Sequence, residues 1–305
     1  MVVDPFAAFT DVVVLDGGLA TELEARGADL SDELWSARLL LDNPDLIVEV
    51  HRAYVDAGAD VVIGASYQAS FEGLEHRGLD RAAARALFAR SVDLAREGAD
   101  GRALVAASVG PYGAVLANGA EYTGDYGLGD ADAARAFLRA FHSQRAEALA
   151  AADPDVLAIE TIPSIVEAEA LLQVLDELND VPAWVSFSCR DADRLNDGTP
   201  FQDAVDLVAR HPSVVAVGVN CTSPIAVPKL VRIAARRTTT AVVAYPNKGG
   251  TWDAAAKRWT GDDLPQGLAP VAVELHGAGA RFVGGCCGTG PSDIHAAAAA
   301  LRPAA

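Results

Sequence analysis

Three of the four cysteines in this 305-residue chain stand where they could hold a metal ion. Cys221 follows the apolar run 214–219, and the adjacent pair Cys286 and Cys287 follows the run 281–283. Thiolates select zinc over magnesium or calcium, and three protein ligands leave the fourth tetrahedral position open, as in catalytic zinc sites. Zinc on three thiolates keeps a bound thiol deprotonated and electron-rich, whereas water activation favours histidine-rich sets. The pattern predicts zinc chemistry on a thiol.

The competing interpretation is that these cysteines are core residues, because free cysteine is among the residue types most often buried. We assign Cys189 to the core on that ground. The adjacent pair is different, since neighbours on a strand point to opposite faces and Gly284, Gly285 and Gly288 allow both sulfurs to turn toward one ion. Two other uses of zinc stay open: activating water in a hydrolase, or only tying two strands together.

Two carboxylates also follow apolar runs. Asp16 comes directly after residues 12–15, and Glu160 comes directly after residues 156–159. An unpaired charge at the end of a buried strand is costly, so each carboxylate should have a partner. That partner is either a protein group, as in a surface ion pair or a helix N-cap, or the cationic group of a ligand such as a substrate α-ammonium. A glycosidase-like acid/base pair is disfavoured by the neighbouring sulfur set.

Aromatic residues fall near the ends of several runs. Their faces would attract a sulfonium or quaternary ammonium ion by cation–π interaction, although any single one of them is more often a core residue. The set consists of Trp35, Tyr67, Tyr112, Tyr122, Tyr126, Tyr245 and Trp252. The six histidines show no metal-ligand spacing, and we assign them no chemistry.

These residues must be positioned by a regular alternation of strands and helices. Eight short apolar runs alternate with segments of helical spacing. Parallel strands need such crossovers, and eight of them favour a closed α/β TIM (β/α)8 barrel with its active site at the C-terminal ends of the strands. An open doubly wound sheet is the alternative, but no glycine-rich dinucleotide fingerprint follows the first run. The predicted strands are 12–15, 61–63, 103–107, 156–159, 183–187, 214–219, 239–244 and 281–283, and the predicted helices are 45–58, 80–98, 130–152, 164–178, 201–210, 225–235, 263–277 and 291–301. Ser164, with Glu167 three residues on, predicts a helix N-cap, and Gly58 and Gly98 are suited to the left-handed residue past a helix end.

Composition limits the class of protein. No Ser- or Gly-rich linker divides the chain, so we expect a single barrel domain over residues 1–305. Hydrophobic residues make up 51% and charged residues 22%, which excludes a disordered or fibrous protein. With 24 Lys and Arg against 42 Asp and Glu, the net charge of -18 disfavours nucleic acid and anionic membranes as partners. Small-molecule substrates are the expected partners.

The sequence also predicts a location. No apolar run is long enough for a membrane span, and the first ten residues lack the features of a signal peptide. We therefore expect a cytoplasmic protein, in which four cysteines are thiols or metal ligands rather than a disulfide framework. No heptad pattern argues for assembly, so a monomer is the default.

Beyond these separate signals, the motifs around the cysteines resemble the homocysteine S-methyltransferase family of zinc-dependent TIM barrels. The resemblance covers nearly the whole chain. The chain is most similar to the single-domain members that use S-methylmethionine or S-adenosylmethionine as methyl donor. The motifs that carry it are DGGLATELEARG at 16–27, GPYGAVLANGAEYTGDYG at 110–127, AIETIPS at 158–164, SFSCRD at 186–191, GVNCTSP at 218–224, YPNKGGTW at 245–252 and GGCCGTGP at 284–291.

This resemblance implies roles for individual residues. Zinc is held by Cys221, Cys286 and Cys287; homocysteine is bound by Asp16, Gly17, Gly18, Glu160 and Asn220; and the donor pocket contains Trp35, Tyr67, Gln68, Tyr122 and Asn247. Asp16 and Glu160 hold the amino group, and amides near Gly17 and Gly18 face the carboxylate. Relatives that use betaine have tyrosine in place of Gln68, which argues against betaine as the donor. They also have tyrosine in place of Thr161, so a fourth metal ligand from that position is not expected in the empty site, and Gly250 replaces an acidic residue. Betaine as donor and selenohomocysteine as acceptor stay open as alternatives.

Overall fold

The fold is described from a computed structural model of the chain. Two residues singled out from the sequence, Trp35 and Gly250, lie outside the described residues. The structure describes residues 2–29, 36–178, 180–249, 251–253, 258–260, 264 and 266–303.

Eight parallel strands form a barrel, as predicted. Their order around the sheet is β1-β10-β7-β6-β5-β4-β3-β2, and a parallel bridge between Leu15 and Val61 joins the two ends. Asp16 N–H donates to the Val61 carbonyl at 3.1 Å across that join. The strands are β1 Val13–Val14, β2 Val61–Ile63, β3 Leu104–Val109, β4 Val156–Ile162, β5 Ala183–Phe187, β6 Val214–Asn220, β7 Ala241–Tyr245 and β10 Phe282–Val283, with a separate antiparallel pair of β8 Thr251–Asp253 and β9 Arg258–Thr260.

The helices lie between the strands. All eight predicted helices are present, and four short ones in the loops were not predicted. No helix among the described residues is long and apolar enough to cross a membrane. The helices are α1 Leu19–Ala25, α2 Ser36–Asp42, α3 Pro44–Asp56, α4 Phe71–His76, α5 Arg81–Ala99, α6 Tyr112–Leu116, α7 Ala131–Ala150, α8 Ile165–Glu177, α9 Phe201–Val208, α10 Val227–Arg237, α11 Leu268–Gly277 and α12 Pro291–Leu301.

Helix ends follow the local sequence in most places. The capping signal before α8 is confirmed, because the Ser164 side chain accepts a hydrogen bond from the Glu167 N–H. Gly58 has the expected left-handed conformation after α3, with φ 102°. The same expectation for Gly98 is wrong: it lies inside α5, where a Cβ would come within 2.5 Å of His51 Cβ, and Asp100 takes the left-handed position instead.

Two apolar layers hold the barrel. One fills its interior, with Trp184 and Phe282 among its buried members, and the other packs the outer faces of the strands against the helices. Phe6 is fully buried beside Phe282, with ring centroids 4.6 Å apart in an edge-to-face arrangement. Arg281 holds this N-terminal segment by donating to the carbonyls of Phe6 and Phe9. The segment closes the N-terminal end of the barrel, so the site lies at the opposite end.

The close approach of β6 and β7 gives a stability prediction. A Cβ on Gly218 would lie 1.8 Å from the Val243 carbonyl oxygen. We expect Gly218→Ala to lower the free energy of unfolding by about 3 kcal/mol or more, because two paired backbones would have to separate. Gly277→Ala is the matched control, since a Cβ there meets nothing within 4 Å at the end of α11. It should raise stability by about 0.5 kcal/mol. Urea unfolding of both variants measures the difference, and equal midpoints would contradict the prediction.

Candidate functional site

Three thiols meet at the C-terminal end of the barrel. Cys221 follows β6, and Cys286 and Cys287 follow β10 in the turn before α12. The Cys221 and Cys287 sulfurs are 3.7 Å apart, and all three sulfurs lie within 4.8 Å of one another. The sequence expectation that these cysteines share one point in space is confirmed.

Backbone hydrogen bonds to the last residue of β7 and to the loop after it fix this cluster. Cys221 N–H donates to the Tyr245 carbonyl at 3.1 Å, Cys286 N–H donates to the Pro246 carbonyl at 2.8 Å, and Lys248 N–H donates to the Cys287 carbonyl at 2.8 Å. Cys221 itself has a positive φ of 45°, an uncommon backbone conformation for a residue with a side chain. The loop after β7 therefore ties both cysteine segments together.

The donor set fits a soft metal ion. Zinc–sulfur bonds of 2.3 Å in a tetrahedral arrangement place two sulfurs about 3.8 Å apart, close to the observed separation of Cys221 and Cys287. Hydrogen bonds from Cys286 and Cys287 lower the pKa of Cys221 well below its ordinary value, so the cluster favours at least one thiolate. These three cysteines could hold a metal ion, and three protein ligands leave one tetrahedral position for a substrate atom.

Glu160 lies in the same region and is held by two hydroxyls. Its carboxylate accepts hydrogen bonds from Ser108 Oγ and from Tyr245 Oη, the latter at 3.0 Å. Burial raises the pKa of Glu160 to about 7 even though both hydrogen bonds favour the charged form. No basic side chain pairs with it among the described contacts. The carboxylate is therefore positioned to receive a cationic group from a ligand.

Asp16 directly follows Leu15 at the barrel join and is close enough to Glu160 for the two carboxylates to interact electrostatically. Its Oδ2 accepts from the Ile63 N–H at 2.8 Å, while Oδ1 is buried without a partner. Burial, followed by the negative charge of Glu160, raises the pKa of Asp16 well above its ordinary value. The alternative of a helix cap or surface ion pair does not describe either carboxylate, because both are buried and neither contacts a basic group in the described part of the chain.

A cavity of about 120 Å³ connects the three cysteines and Glu160, whereas Asp16 is not among its lining residues. It is lined by the three cysteines, by Glu160 and by four of the other residues that the sequence analysis placed in the site. The predicted residues that line it are Gly17, Gly18, Tyr67, Tyr122, Glu160, Cys221, Cys286 and Cys287, together with Ser108, Glu121, Thr161 and Tyr245. The Gly18 N–H donates to the Thr289 carbonyl at 3.0 Å and is engaged within the protein.

Asn220 lies beside the cavity and not among its lining residues. Its Oδ1 accepts from the Thr161 N–H at 2.7 Å and from Ser186 Oγ at 2.8 Å, and its Nδ2 donates to Thr161 Oγ1 at 2.7 Å. Thr161 has a positive φ of 62°, which these contacts stabilise. The side chain of Asn220 therefore links the end of β6 to Thr161, the residue that follows Glu160.

Two residues predicted for the donor pocket also lie away from the cavity lining. Gln68 is buried and donates from Nε2 to the Ala114 carbonyl at 3.0 Å. Asn247 accepts from the Gly249 N–H at 3.0 Å and belongs to the loop that holds the cysteines. Neither side chain is among those that face the cavity. Trp35 lies outside the described residues.

Sequence reasoning did not assign a role to Glu121, which lines the cavity beside Tyr122. It forms part of a short 3₁₀ turn, Ala120–Tyr122, and follows no strand. A search for functional residues directly after the predicted strands therefore misses it. Its only signal was membership of the motif at 110–127. Ser108 and Tyr245 directly follow the predicted strands 103–107 and 239–244, but their pairing with Glu160 depends on contacts between strands far apart in sequence.

Fold and site together define an α/β barrel with a candidate three-thiol metal centre and a buried carboxylate at the C-terminal ends of its strands. A family model described as homocysteine S-methyltransferase matches residues 13–301. The chain belongs to the homocysteine S-methyltransferase family.

Relatives agree with this assignment over nearly their full length. The chain is 46% identical over 297 residues to homocysteine S-methyltransferase of Escherichia coli (strain K12), covering 94% of both chains. It is 41% identical over 303 residues to homocysteine S-methyltransferase YbgG of Bacillus subtilis (strain 168), covering 95% of both. The crystal structure of the homocysteine methyltransferase MmuM from Escherichia coli in its metallated form is similar with a TM-score of 0.85 and 44% identity, covering 97% of this chain and 99% of that one.

Proposed function

We propose that this protein transfers a methyl group from a sulfonium donor to the thiol of homocysteine, forming methionine, with zinc held by Cys221, Cys286 and Cys287. The observation that carries the proposal is that the three sulfurs and the carboxylate of Glu160 face one cavity. A homocysteine molecule carries a thiol at one end and an ammonium at the other, which matches these two features. The family membership of the chain supports the same reaction.

Zinc bound there would keep the substrate thiol deprotonated at neutral pH while leaving its sulfur nucleophilic. The cysteines supply three soft ligands and compensate the charge of the ion. Histidine-rich sets, which favour water activation, do not occur in the described part of the cavity. The donor set therefore supports transfer to a thiol over a zinc hydrolase.

Carboxylates orient the acceptor in this proposal. Glu160 holds the homocysteine ammonium, with Ser108 and Tyr245 fixing the direction of its carboxylate. Asp16 adds a second negative charge from the neighbouring join of the barrel. The homocysteine carboxylate lies beside Gly17 and Gly18, which line the cavity.

The transfer needs no general acid from the protein. The acceptor sulfur forms a bond to the methyl carbon, the bond from that carbon to the donor sulfur breaks, and its electron pair stays on the donor as a neutral thioether. The protein's share is to hold the two sulfur atoms in line with the methyl carbon between them. S-methylmethionine and S-adenosylmethionine are the proposed donors.

A comparison of donors tests this function. Protein purified under reducing conditions is given homocysteine with S-methylmethionine, S-adenosylmethionine or betaine, and methionine is measured. We expect methionine from at least one sulfonium donor and none above background from betaine. The same assay with selenohomocysteine measures whether a selenol is also accepted. Methionine from betaine alone, or ester hydrolysis without any methyl transfer, would contradict the proposal.

A further inference from the structure

Glu121 is held firmly in the wall of the cavity. The carbonyl of Glu121 accepts hydrogen bonds from Ser188 Oγ at 3.2 Å and from Asn196 Nδ2 at 3.4 Å, both on the segment that follows β5. The turn that carries it is bounded by Gly119, whose φ is 84°. The backbone of this residue is therefore fixed relative to the barrel although it lies in a long loop.

No basic side chain among the described residues pairs with the carboxylate of Glu121. The residue is only 7% exposed, it lines the cavity, and its Oε2 is buried without a hydrogen-bond partner. Burial raises the pKa of Glu121 to about 7. No Lys, Arg or His is among the described residues that line the cavity. A cationic group of a ligand beside this carboxylate would stabilise its charged form.

Counting charges separates this carboxylate from the others. Homocysteine brings one cationic group, its ammonium, and the proposed function already assigns Glu160 to it, with Asp16 close enough to interact electrostatically with Glu160. S-methylmethionine and S-adenosylmethionine each bring an α-ammonium of their own and, in addition, a positive charge on the sulfur that must come close to the acceptor thiol. Glu121 is the remaining buried carboxylate that lines the cavity.

Two aromatic rings lie in the same wall. Tyr67 and Tyr122 line the cavity with Glu121, and the Tyr122 hydroxyl is 3.3 Å from the Cys221 sulfur. Aromatic faces attract cations such as sulfonium and quaternary ammonium ions. These rings and the carboxylate together form a cation-binding wall next to the three-thiol cluster, where the transferred methyl group has to be.

We infer that Glu121 is the counter-charge for the sulfonium of the methyl donor. It makes the cavity bind the charged donor in preference to a neutral thioether. The inference rests on the proposed function and names the residue that would select its second substrate. The positive charge disappears when the methyl group leaves, so Glu121 holds the donor more strongly than the thioether product. It should therefore affect donor binding more than the rate of the bound complex.

The variant Glu121→Gln removes the charge and keeps the shape of the side chain. Asp125→Asn is the matched control, because it removes one negative charge from an exposed position in the same loop. Steady-state kinetics should give a KM for S-methylmethionine about tenfold or more higher in Glu121→Gln, with kcat changed far less. The KM for homocysteine and the metal content should equal those of wild type. The control variant should keep all four values.

A binding measurement makes the inference independent of turnover. Calorimetry of the purified protein compares the dissociation constants of S-methylmethionine and methionine, which differ by the sulfonium methyl group and its charge. We expect the dissociation constant of methionine divided by that of S-methylmethionine to fall about tenfold or more in Glu121→Gln and to stay unchanged in Asp125→Asn. An unchanged ratio, or a rise in the KM for homocysteine instead of the donor, would overturn the inference. If wild type transfers no methyl group, the proposed function fails while the binding ratio still decides the role of Glu121.

Discussion

Replacing Cys286 by serine is expected to remove metal and methyl transfer together. The serine hydroxyl is a poor ligand for a soft ion, and the remaining pair of Cys221 and Cys287 cannot complete a three-thiolate set. Wild type purified under reducing conditions should contain about one zinc ion per chain. The variant should contain little, and its rate of methionine formation should fall by roughly 100-fold or more. Metal analysis and the methionine assay on the same preparations measure both effects.

Cys189→Ser is the matched control for that experiment. Cys189 is the fourth cysteine of the chain, buried after β5 and outside the three-thiol cluster. The same chemical change there should leave zinc content and activity close to wild type. Full activity of Cys286→Ser without bound metal would show that the cluster has no part in the reaction.

Glu160→Gln should weaken homocysteine binding more than any other change to the acceptor side of the cavity. The variant keeps the side chain's size and one acceptor for the hydroxyls of Ser108 and Tyr245, but it loses the charge that faces the substrate ammonium. We expect the KM for homocysteine to rise by roughly 30-fold or more, or about 2 kcal/mol of binding free energy. Assays at pH 8 compare the two proteins, because the pKa of Glu160 near 7 leaves it mostly ionised in wild type.

An acceptor without an amino group separates this effect from a general disturbance. With 4-mercaptobutyrate, which keeps the thiol and carboxylate of homocysteine but lacks its ammonium, wild type and Glu160→Gln should show similar KM values. The difference between the two acceptors is then the contribution of the charge pair. A variant that loses affinity equally for both acceptors would indicate that Glu160 supports the cavity and does not bind the ammonium.

Much of this architecture was predictable because local patterns of apolar and polar residues in the sequence indicate its strands and helices. Each buried parallel strand is an apolar run, and each crossover is an amphipathic helix, so all eight strands were located from the sequence. The meeting of Cys221 with Cys286 and Cys287 followed from one rule, that chemistry in such barrels gathers where the strands end.

The rest depended on contacts between distant segments. The amide of Asn220 points to Thr161 and Ser186, 59 and 34 residues away in sequence, and no local pattern reveals that this uses all its hydrogen-bonding atoms. Glu121 was missed because its position comes from a loop packed against the segment after β5, not from a strand. Gly98 was misjudged because a close approach of two helices, rather than a helix end, requires a glycine there.

The contacts of Asn220 have a consequence for which thiols fit. Cys221 follows Asn220 directly, and Thr161, which the Asn220 amide holds, follows Glu160 directly. One side chain thus ties a candidate metal ligand on β6 to the carboxylate proposed for the acceptor ammonium on β4, and the span between them becomes a fixed length. Under the proposed function the barrel selects thiols by their length. We expect that an amino-acid thiol one methylene shorter, as in cysteine, cannot reach the metal site and the carboxylate of Glu160 at once.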